Sequence, residues 1–261
     1  LPTAMIAPTP VSALLHAVAV VKAGVFCVVR IVLFVFGPTL LNSLNLGVIL
    51  AYVASFTILM ASIFAITMDN LKMRLAYSTV SQLSYIVLGA AMLTPSGITG
   101  GIFNMVSHAF AKITLFFCAG SIFVASGKKK ISEMNGIGKK MPVTMLAFSI
   151  GALSMVGLPP ASGFLTKWYL ALGAIEMEQI GLLIIILISA ILNAIYFFPV
   201  IYVAFFKELP EGESQERKEA PMFVLVPLVL TAIVTVLLFL FPSIYLELVR
   251  IVVSSVLGGG L

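Results

Sequence analysis

Residues 100–125 read GGIFNMVSHAFAKITLFFCAGSIFVA and indicate a helix that crosses a membrane. The run exceeds the about 20 apolar residues that an α-helix needs to span the hydrocarbon core of a bilayer. It nevertheless carries His108 and Lys112, whose four-residue spacing places both side chains on one helical face. A lysine at membrane depth costs about 2.5–3.5 kcal/mol on insertion scales, so ionisable groups there are candidates for an ion or proton pathway.

The composition of the whole chain is that of a polytopic membrane protein. Of its 261 residues, 61% are hydrophobic and 10% are charged, whereas soluble domains average about 45–50% apolar and about 25% charged residues. The net charge of +5 does not indicate nucleic-acid binding, because the basic residues cluster in loops between apolar runs, where they act as topology signals. Cys27 and Cys118 lie within apolar runs and are predicted to be small core residues, from which no disulfide or redox inference follows. Because the chain begins with Leu1 rather than Met, we expect a fragment of a longer protein.

Seven apolar runs of transmembrane length predict an all-α, polytopic membrane helix bundle. These runs lie near residues 11–35, 44–68, 74–93, 98–126, 142–174, 181–206 and 222–249. The fifth run is too long for one straight crossing and contains the sequence GLPPASG. Two adjacent prolines remove two backbone donors and clash with the preceding turn, so we predict a broken helix whose freed carbonyls face the protein interior or a wet cavity. The residues of this break are Gly157, Pro159, Pro160 and Gly163.

The distribution of basic residues predicts the orientation of the chain. With seven crossings, the N-terminal end and the loops after the second, fourth and sixth runs share one side of the membrane. That side holds ten of the 15 lysines and arginines, whereas the other side holds only Arg30 and Arg250. The positive-inside rule therefore places the N-terminal end and the basic loop at 128–140 in the cytoplasm and the C-terminus outside. The polar segment 208–221 is predicted to be a solvated linker.

Six titratable side chains form the candidate proton relay: His16, Lys22, Lys72, His108, Lys112 and Lys167. Five of them, all but Lys72, lie within apolar runs. These runs contain no central carboxylate, so the buried lysines lack an obvious ion-pair partner. Desolvated lysines and histidines give and take protons near neutral pH, and a row of them linked by water would conduct protons. Other interpretations stay open at this point: a packed histidine for His16, a snorkelling lysine for Lys22 and a cytoplasmic anchor for Lys72.

Signatures of other chemistry are absent from the sequence. The chain has no P-loop and no GxGxxG motif for a nucleotide, and no CxxC motif for an iron–sulfur cluster. His16 and His108 have no Cys, Asp or Glu at ligand spacing to complete a metal site. We therefore expect the chain itself to hold neither a cofactor nor a metal.

Four blocks of the sequence together resemble one membrane-protein family. The chain resembles the antiporter-like proton-channel subunits shared by respiratory complex I, the Mrp-type sodium/proton antiporters and the membrane-bound group 4 hydrogenases. The resemblance covers about residues 1–250. The blocks that carry it are AMIAPTPVSALLHAVAVVKAGVFCVVR at 4–30, LKMRLAYSTVSQLSYI at 71–86, SHAFAKITLFFCAGS at 107–121 and GLPPASGFLTKWYL at 157–170.

The resemblance implies two inverted repeats, each with a broken helix, of which this chain is similar to the second half. Residues 1–43 would end the first half, and residues 44–206 would form the second repeat with its broken helix at 142–174. Residues 207–261 would form a cytoplasmic loop and a last span.

The resemblance also assigns roles to individual residues. The family's broken-helix lysine matches Lys167, and its central lysine and preceding histidine match Lys112 and His108. The histidine of the first span matches His16, and the lysine before LAYST matches Lys72. Two departures stand out: the first repeat with its glutamate–lysine pair is not in this sequence, and Asn104 stands where some relatives carry a further histidine.

The implied function is that of a proton-translocating subunit in a larger ion-pumping or redox-driven complex of the cell membrane. Other membrane subunits and the bilayer would be its partners, and iron–sulfur, flavin or nickel centres would lie on those partner subunits. The chain would not be catalytic alone. Two alternatives stay open: a subunit of a sodium/proton antiporter without redox chemistry, and a structural membrane fragment that is inactive without its N-terminal half.

Overall fold

The described segments form a helical bundle. The computed structural model describes residue 9, residues 12–210 and residues 216–258, apart from the side chains of residues 15–17. A π-helical stretch, Ser12–Ala19, leads into α1 (Val20–Ser43). The helices that follow are α2 (Leu46–Thr67), α3 (Leu71–Ala91), α4 (Pro95–Ser126), α5 (Pro142–Val156), α6 (Gly163–Glu176), α7 (Ile180–Phe206), α8 (Met222–Leu240) and α9 (Ser243–Leu257). Since α1, α2, α4, α7 and α8 are each long and apolar enough to cross a membrane, the predicted all-α membrane fold is confirmed.

Most helix boundaries agree with the apolar runs. Helices α2, α3, α4 and α7 begin and end within three residues of the second, third, fourth and sixth runs. The fifth run is broken as predicted, into α5 and α6. The first helix extends beyond the first apolar run, which was predicted to end near residue 35. It continues through a π-helical stretch at Ile31–Phe36 and ends at Ser43.

The seventh apolar run folds as two helices, so the prediction of one span near 222–249 is wrong. Pro242 has no backbone N–H and disfavours the helical conformation at the residue before it. Phe241 accordingly lies outside the α-region, with φ −126° and ψ 61°. Beyond this break, α9 buries Val249 and Val253 in an apolar cluster that includes Ile98 of α4. The C-terminal helix is thus a separate element that packs beside the start of α4.

Glycines allow the central helices to approach closely. A Cβ atom built on Gly89 of α3 would lie 2.7 Å from the Cα atom of Gly101 in α4. One built on Gly173 of α6 would lie 2.5 Å from the Cα atom of Gly97 in α4. These distances are shorter than carbon–carbon contacts allow, so only glycine permits the observed packing. The close approach brings α3 and α6 against the helix that carries Lys112.

The segment before α8 is hydrogen-bonded to the N-terminus of α5, the first half of the broken helix. Both oxygens of Glu219 accept hydrogen bonds at the N-terminus of α5: Oε1 from the backbone N–H of Val143 at 2.8 Å, and Oε2 from the hydroxyl of Thr144 at 2.6 Å. The backbone N–H of Lys218 donates to the carbonyl of Lys140 at 3.0 Å. The prediction of a solvated linker over 208–221 is therefore wrong for the end of that segment, which is tied to α5.

We expect Glu219→Ala to lower the free energy of unfolding by about 1 kcal/mol, the size of the loss of a helix N-cap. The carboxylate satisfies donors that have no partner within the helix, and its charge favours the positive end of the helix dipole. Thermal unfolding in detergent measures the loss. Glu208→Ala is the matched control, because Glu208 is exposed in the same segment; equal unfolding temperatures for the two variants would contradict the capping role.

Candidate functional site

The double proline frees two backbone carbonyls at the end of α5. In a continuous helix, the carbonyls of Met155 and Val156 would accept hydrogen bonds from the backbone N–H groups four residues later. Those positions are Pro159 and Pro160, which have no N–H. The helix ends instead at Val156, and the next residue, Gly157, has a φ of +86°, the left-handed conformation that glycine adopts readily. The sequence thus leaves two unpaired carbonyls inside the bundle.

Buried side chains from three helices donate hydrogen bonds to these two carbonyls. Lys167 of α6 donates from Nζ to the carbonyl of Val156 at 2.6 Å. Asn193 of α7 and Gln82 of α3 both donate to the carbonyl of Met155, at 2.9 Å and 3.2 Å. Lys167 is only 9% exposed. The helix break is therefore the point at which α3, α6 and α7 meet through polar groups.

Lys112 lies in the middle of α4 and is fully buried. Its Nζ donates a hydrogen bond to the hydroxyl of Ser78 in α3. It also lies 5.8 Å from the centre of the Phe197 ring of α7, within the range of a cation–π contact. The described residues provide this amine with no carboxylate partner, as no ion pair to it is found among them.

His108 is fully buried one turn before Lys112, and neither of its ring nitrogens has a hydrogen-bond partner among the described residues. A buried polar group without a protein partner is usually satisfied by ordered water. Lys22 approaches the same helix from α1, where its Nζ donates to the carbonyl of Met105. Both lysines lie close enough for their charges to act on His108, so Lys22, His108 and Lys112 form one cluster.

A polar layer connects the Lys112 region with the helix break. The phenol of Tyr196, in α7, interacts with the Ser78 hydroxyl and donates to Oδ1 of Asn193 at 2.8 Å. On its other side, Asn193 interacts with the phenol of Tyr85. These four side chains are fully buried. The Lys167 amine lies 5.5 Å from the centre of the Tyr85 ring, so the layer runs from one buried lysine to the other.

The remaining predicted residues lie outside this layer. Lys72 is half-buried in the first turn of α3 and lines an apolar cavity of about 730 Å³ together with Lys128 and Lys129. The side chain of His16 lies outside the described residues. Among the residues that the structure describes, no group of three or more His, Cys, Asp or Glu side chains could hold a metal ion.

Sequence reasoning missed the polar residues between the lysines, although a signal for them exists. They are Ser78, Gln82 and Tyr85 in α3, and Ser189, Asn193 and Tyr196 in α7. Each set occupies positions i, i+4 and i+7 of its helix, which is the spacing of a single helical face. A polar face within an apolar span indicates a polar partner, but it does not tell which partner.

Comparison with known proteins gives consistent matches. A family described as NADH:quinone oxidoreductase/Mrp antiporter, TM, matches residues 1–193. The chain is 40% identical to NADH-quinone oxidoreductase subunit N of Desulforudis audaxviator, over 90% of this chain and 48% of that protein. The chain thus spans about half the length of this relative.

Two solved structures resemble the fold. The membrane-bound sulfane sulfur reductase, an archaeal respiratory membrane complex, contains a chain that matches 98% of this one with a TM-score of 0.84 and 28% identity, over 51% of its own length. The Mrp complex from Dietzia sp. contains a chain that matches 80% of this one with a TM-score of 0.74 and 26% identity, over 47% of its own length.

Proposed function

The chain belongs to the transmembrane family of the NADH:quinone oxidoreductases and Mrp antiporters, and we propose that it is a proton-translocating part of a larger membrane complex. One observation carries this proposal: Lys112 and Lys167 are both buried inside the bundle, and a layer of polar side chains lies between them. Ionisable groups at membrane depth are costly, and they usually mark the route of an ion or a proton.

In the proposed route, protons reach Lys112 from His16 and Lys72 through His108, and leave from Lys167 toward the outside. Lys112 acts as the central relay and Lys167 as the terminal donor. A proton on one lysine repels a proton on the next, because charges interact strongly in a medium of low dielectric constant. The nitrogens of His108, which have no hydrogen-bond partner among the described residues, support a water-filled approach to Lys112, since water would satisfy them.

The orientation and the partners belong to the same proposal. The N-terminal end lies in the cytoplasm, as the ten basic residues on that side favour. The partners are other membrane subunits, because the relatives with solved structures are parts of complexes. Any iron–sulfur, flavin or nickel centres of such a complex lie on those subunits and drive the relay from there.

Sodium/proton antiport is the second candidate function. The likeness to the Mrp complex favours it, and so does a hydroxyl cluster at the helix break. There the hydroxyls of Ser107 and Ser162 lie 2.7 Å apart, and Ser154 lies 3.4 Å from Ser162. Hydroxyl and carbonyl oxygens are the ligands that hard cations prefer. Sodium flux that accompanies proton flux in reconstituted vesicles would identify this function.

We expect Lys167→Ala in the complete protein, assembled in its complex, to reduce proton flux about 100-fold. The substitution removes the amine that the carbonyl of Val156 holds next to Tyr85. A pH-sensitive dye in proteoliposomes measures the flux. Lys207→Ala, at an exposed lysine just after α7, is the control. Normal flux in the Lys167 variant would rule out the terminal role, and no flux in the wild-type complex would favour a structural fragment.

A further inference from the structure

Helices α3 and α7 carry the same polar pattern, and the two copies face each other. Each copy consists of a serine, an amide four residues later and a tyrosine three residues after the amide. The copies are Ser78, Gln82, Tyr85 and Ser189, Asn193, Tyr196. The six side chains are buried. The arrangement is reciprocal, because the Tyr85 and Ser189 hydroxyls share a hydrogen bond and the Tyr196 phenol lies near the Ser78 hydroxyl.

Lys112 hydrogen-bonds to one hydroxyl pair, whereas Lys167 lies over the ring of the tyrosine in the other pair. The first pair, Ser78 and Tyr196, receives a hydrogen bond from Lys112 through the Ser78 hydroxyl. The second pair, Tyr85 and Ser189, joins hydroxyl to hydroxyl, and the Lys167 amine lies over the Tyr85 ring. The two hydroxyl pairs are therefore the two ends of the connection between the lysines.

An amide layer separates the hydroxyl pairs. Asn193 and Gln82 occupy the middle position of their patterns, and both donate to the carbonyl of Met155. Oδ1 of Asn193 accepts from Tyr196 on one side, while the phenol of Tyr85 interacts with Asn193 on the other. The carbonyl of Met155 is free for this purpose because Pro159 has no N–H. The broken helix thus fixes the amides between the phenols.

Hydroxyls and amides differ in how they handle protons. A hydroxyl oxygen accepts one proton and releases another from the same atom, so a row of hydroxyls passes protons along. An amide accepts at its oxygen but donates from its nitrogen, where the bonded hydrogens stay. Passing a proton through it would require the unstable imidic acid form. A layer of amides therefore holds the structure together without conducting protons.

We propose that Asn193, with Gln82 beside it, is an insulating layer that blocks direct proton transfer between Lys112 and Lys167. A proton then crosses only when water enters at the helix break and bypasses the amides. This prevents a passive leak while leaving a route that partner subunits can open. The inference rests on the proposed function, because it assigns the control point of that route. Asn193 is a positioning residue, since it sets the place of the phenols without itself carrying the proton.

The test is Asn193→Asp in the complete protein, assembled in its complex and reconstituted in proteoliposomes without a driving reaction. A protonated carboxyl group has nearly the shape of the amide, but it accepts a proton at one oxygen while it releases its own from the other. The group ends neutral, and the proton has moved from the Tyr196 side to the Tyr85 side. We expect passive proton leak, measured with a trapped pH-sensitive dye, to rise about tenfold.

Asn104→Asp is the matched control. Asn104 is a buried amide outside the layer. It donates to the backbone carbonyl of Gln82 at 3.0 Å, and its hydrogen bonds among the described residues include no hydroxyl of the layer. We expect no added leak from it. Asn193→Ser, which places a hydroxyl in the layer, is the second variant if the aspartate variant does not assemble, and it is expected to leak as well.

Two further results separate the inference from the proposed function. The leak of Asn193→Asp should disappear when Lys112→Ala is combined with it, because the route then lacks its first lysine. An assembled Asn193→Asp or Asn193→Ser variant that leaks protons no faster than the wild type would overturn the insulating layer. A proton leak that persists in the variant without Lys112 would overturn it as well. If the Asn193 variants do not leak but Lys112→Ala alone stops driven transport, the proposed function still stands. Normal driven transport without Lys112 would overturn the function itself.

Discussion

Replacing Lys112 by alanine in the complete, assembled protein is expected to reduce driven proton translocation about 100-fold or more, the size typical of removing a positioned proton-transfer group. The amine is fully buried between α3, α4 and α7, and it is the one that hydrogen-bonds to the Ser78 hydroxyl. Without it, a proton that arrives at His108 has no group to accept it before the polar layer. Proton flux into proteoliposomes, driven by the reaction of the complex, measures the loss.

Lys139→Ala is the control for this experiment, because Lys139 is an exposed lysine of the basic loop. We expect normal transport in the control. Assembly should be normal in both variants, since removing a buried amine also removes its desolvation penalty. Transport within a factor of two of the wild type in a fully assembled Lys112 variant would show that the lysine is not the central relay.

Replacing Gly163 by alanine is expected to destabilise the bundle by about 3 kcal/mol, the upper end of the usual penalty for overpacking a core. A Cβ atom at this position would lie 1.7 Å from the carbonyl oxygen of Ser154. The backbone N–H of Gly163 also donates to the Ser154 hydroxyl at 3.1 Å, which holds the start of α6 against the end of α5. The added methyl group must therefore push the two half-helices apart.

Gly24→Ala is the matched control, because a Cβ atom at Gly24 in α1 would have no atom of another described segment within 4 Å. In a helix interior, alanine is preferred over glycine, so this variant should be at least as stable as the wild type. Thermal unfolding in detergent compares the two. A Gly163 variant as stable as the Gly24 variant would show that the half-helices are free to separate, contrary to the packing described above.

The helical elements were largely predictable from the sequence. The second, third, fourth and sixth apolar runs matched α2, α3, α4 and α7, and the fifth was broken as the prolines indicated. The one clear failure was the seventh run, where hydropathy favoured a single span across Pro242. The proline there ends α8 because it disfavours a helical residue before it. The backbone restriction imposed by Pro242 therefore ended the helix, although the apolar run continues beyond it.

The site was predictable only in part. Lysines and a histidine in apolar runs stand out, because such residues are rare at membrane depth. The partners of these residues did not stand out, since serine, tyrosine and asparagine are tolerated in membrane helices for many reasons. Asn193 illustrates the difficulty: its neighbours in sequence are apolar, and its contacts with Tyr85 and the carbonyl of Met155 come from α3 and α5.

The sequence by itself determined that the chain is a membrane bundle, that its fifth apolar run is broken at Pro159 and Pro160, and that Lys112 and His108 share a helical face. These features are local, because hydropathy, the missing N–H of proline and the period of the helix act within a few residues of the chain. The tertiary structure alone decided which groups meet. The carbonyls freed by the prolines are held by Lys167, and by Asn193 and Gln82, because the rotation and close packing of α3, α6 and α7 bring those side chains to the break. Contacts between helices depend on that geometry, which no single segment of the sequence contains.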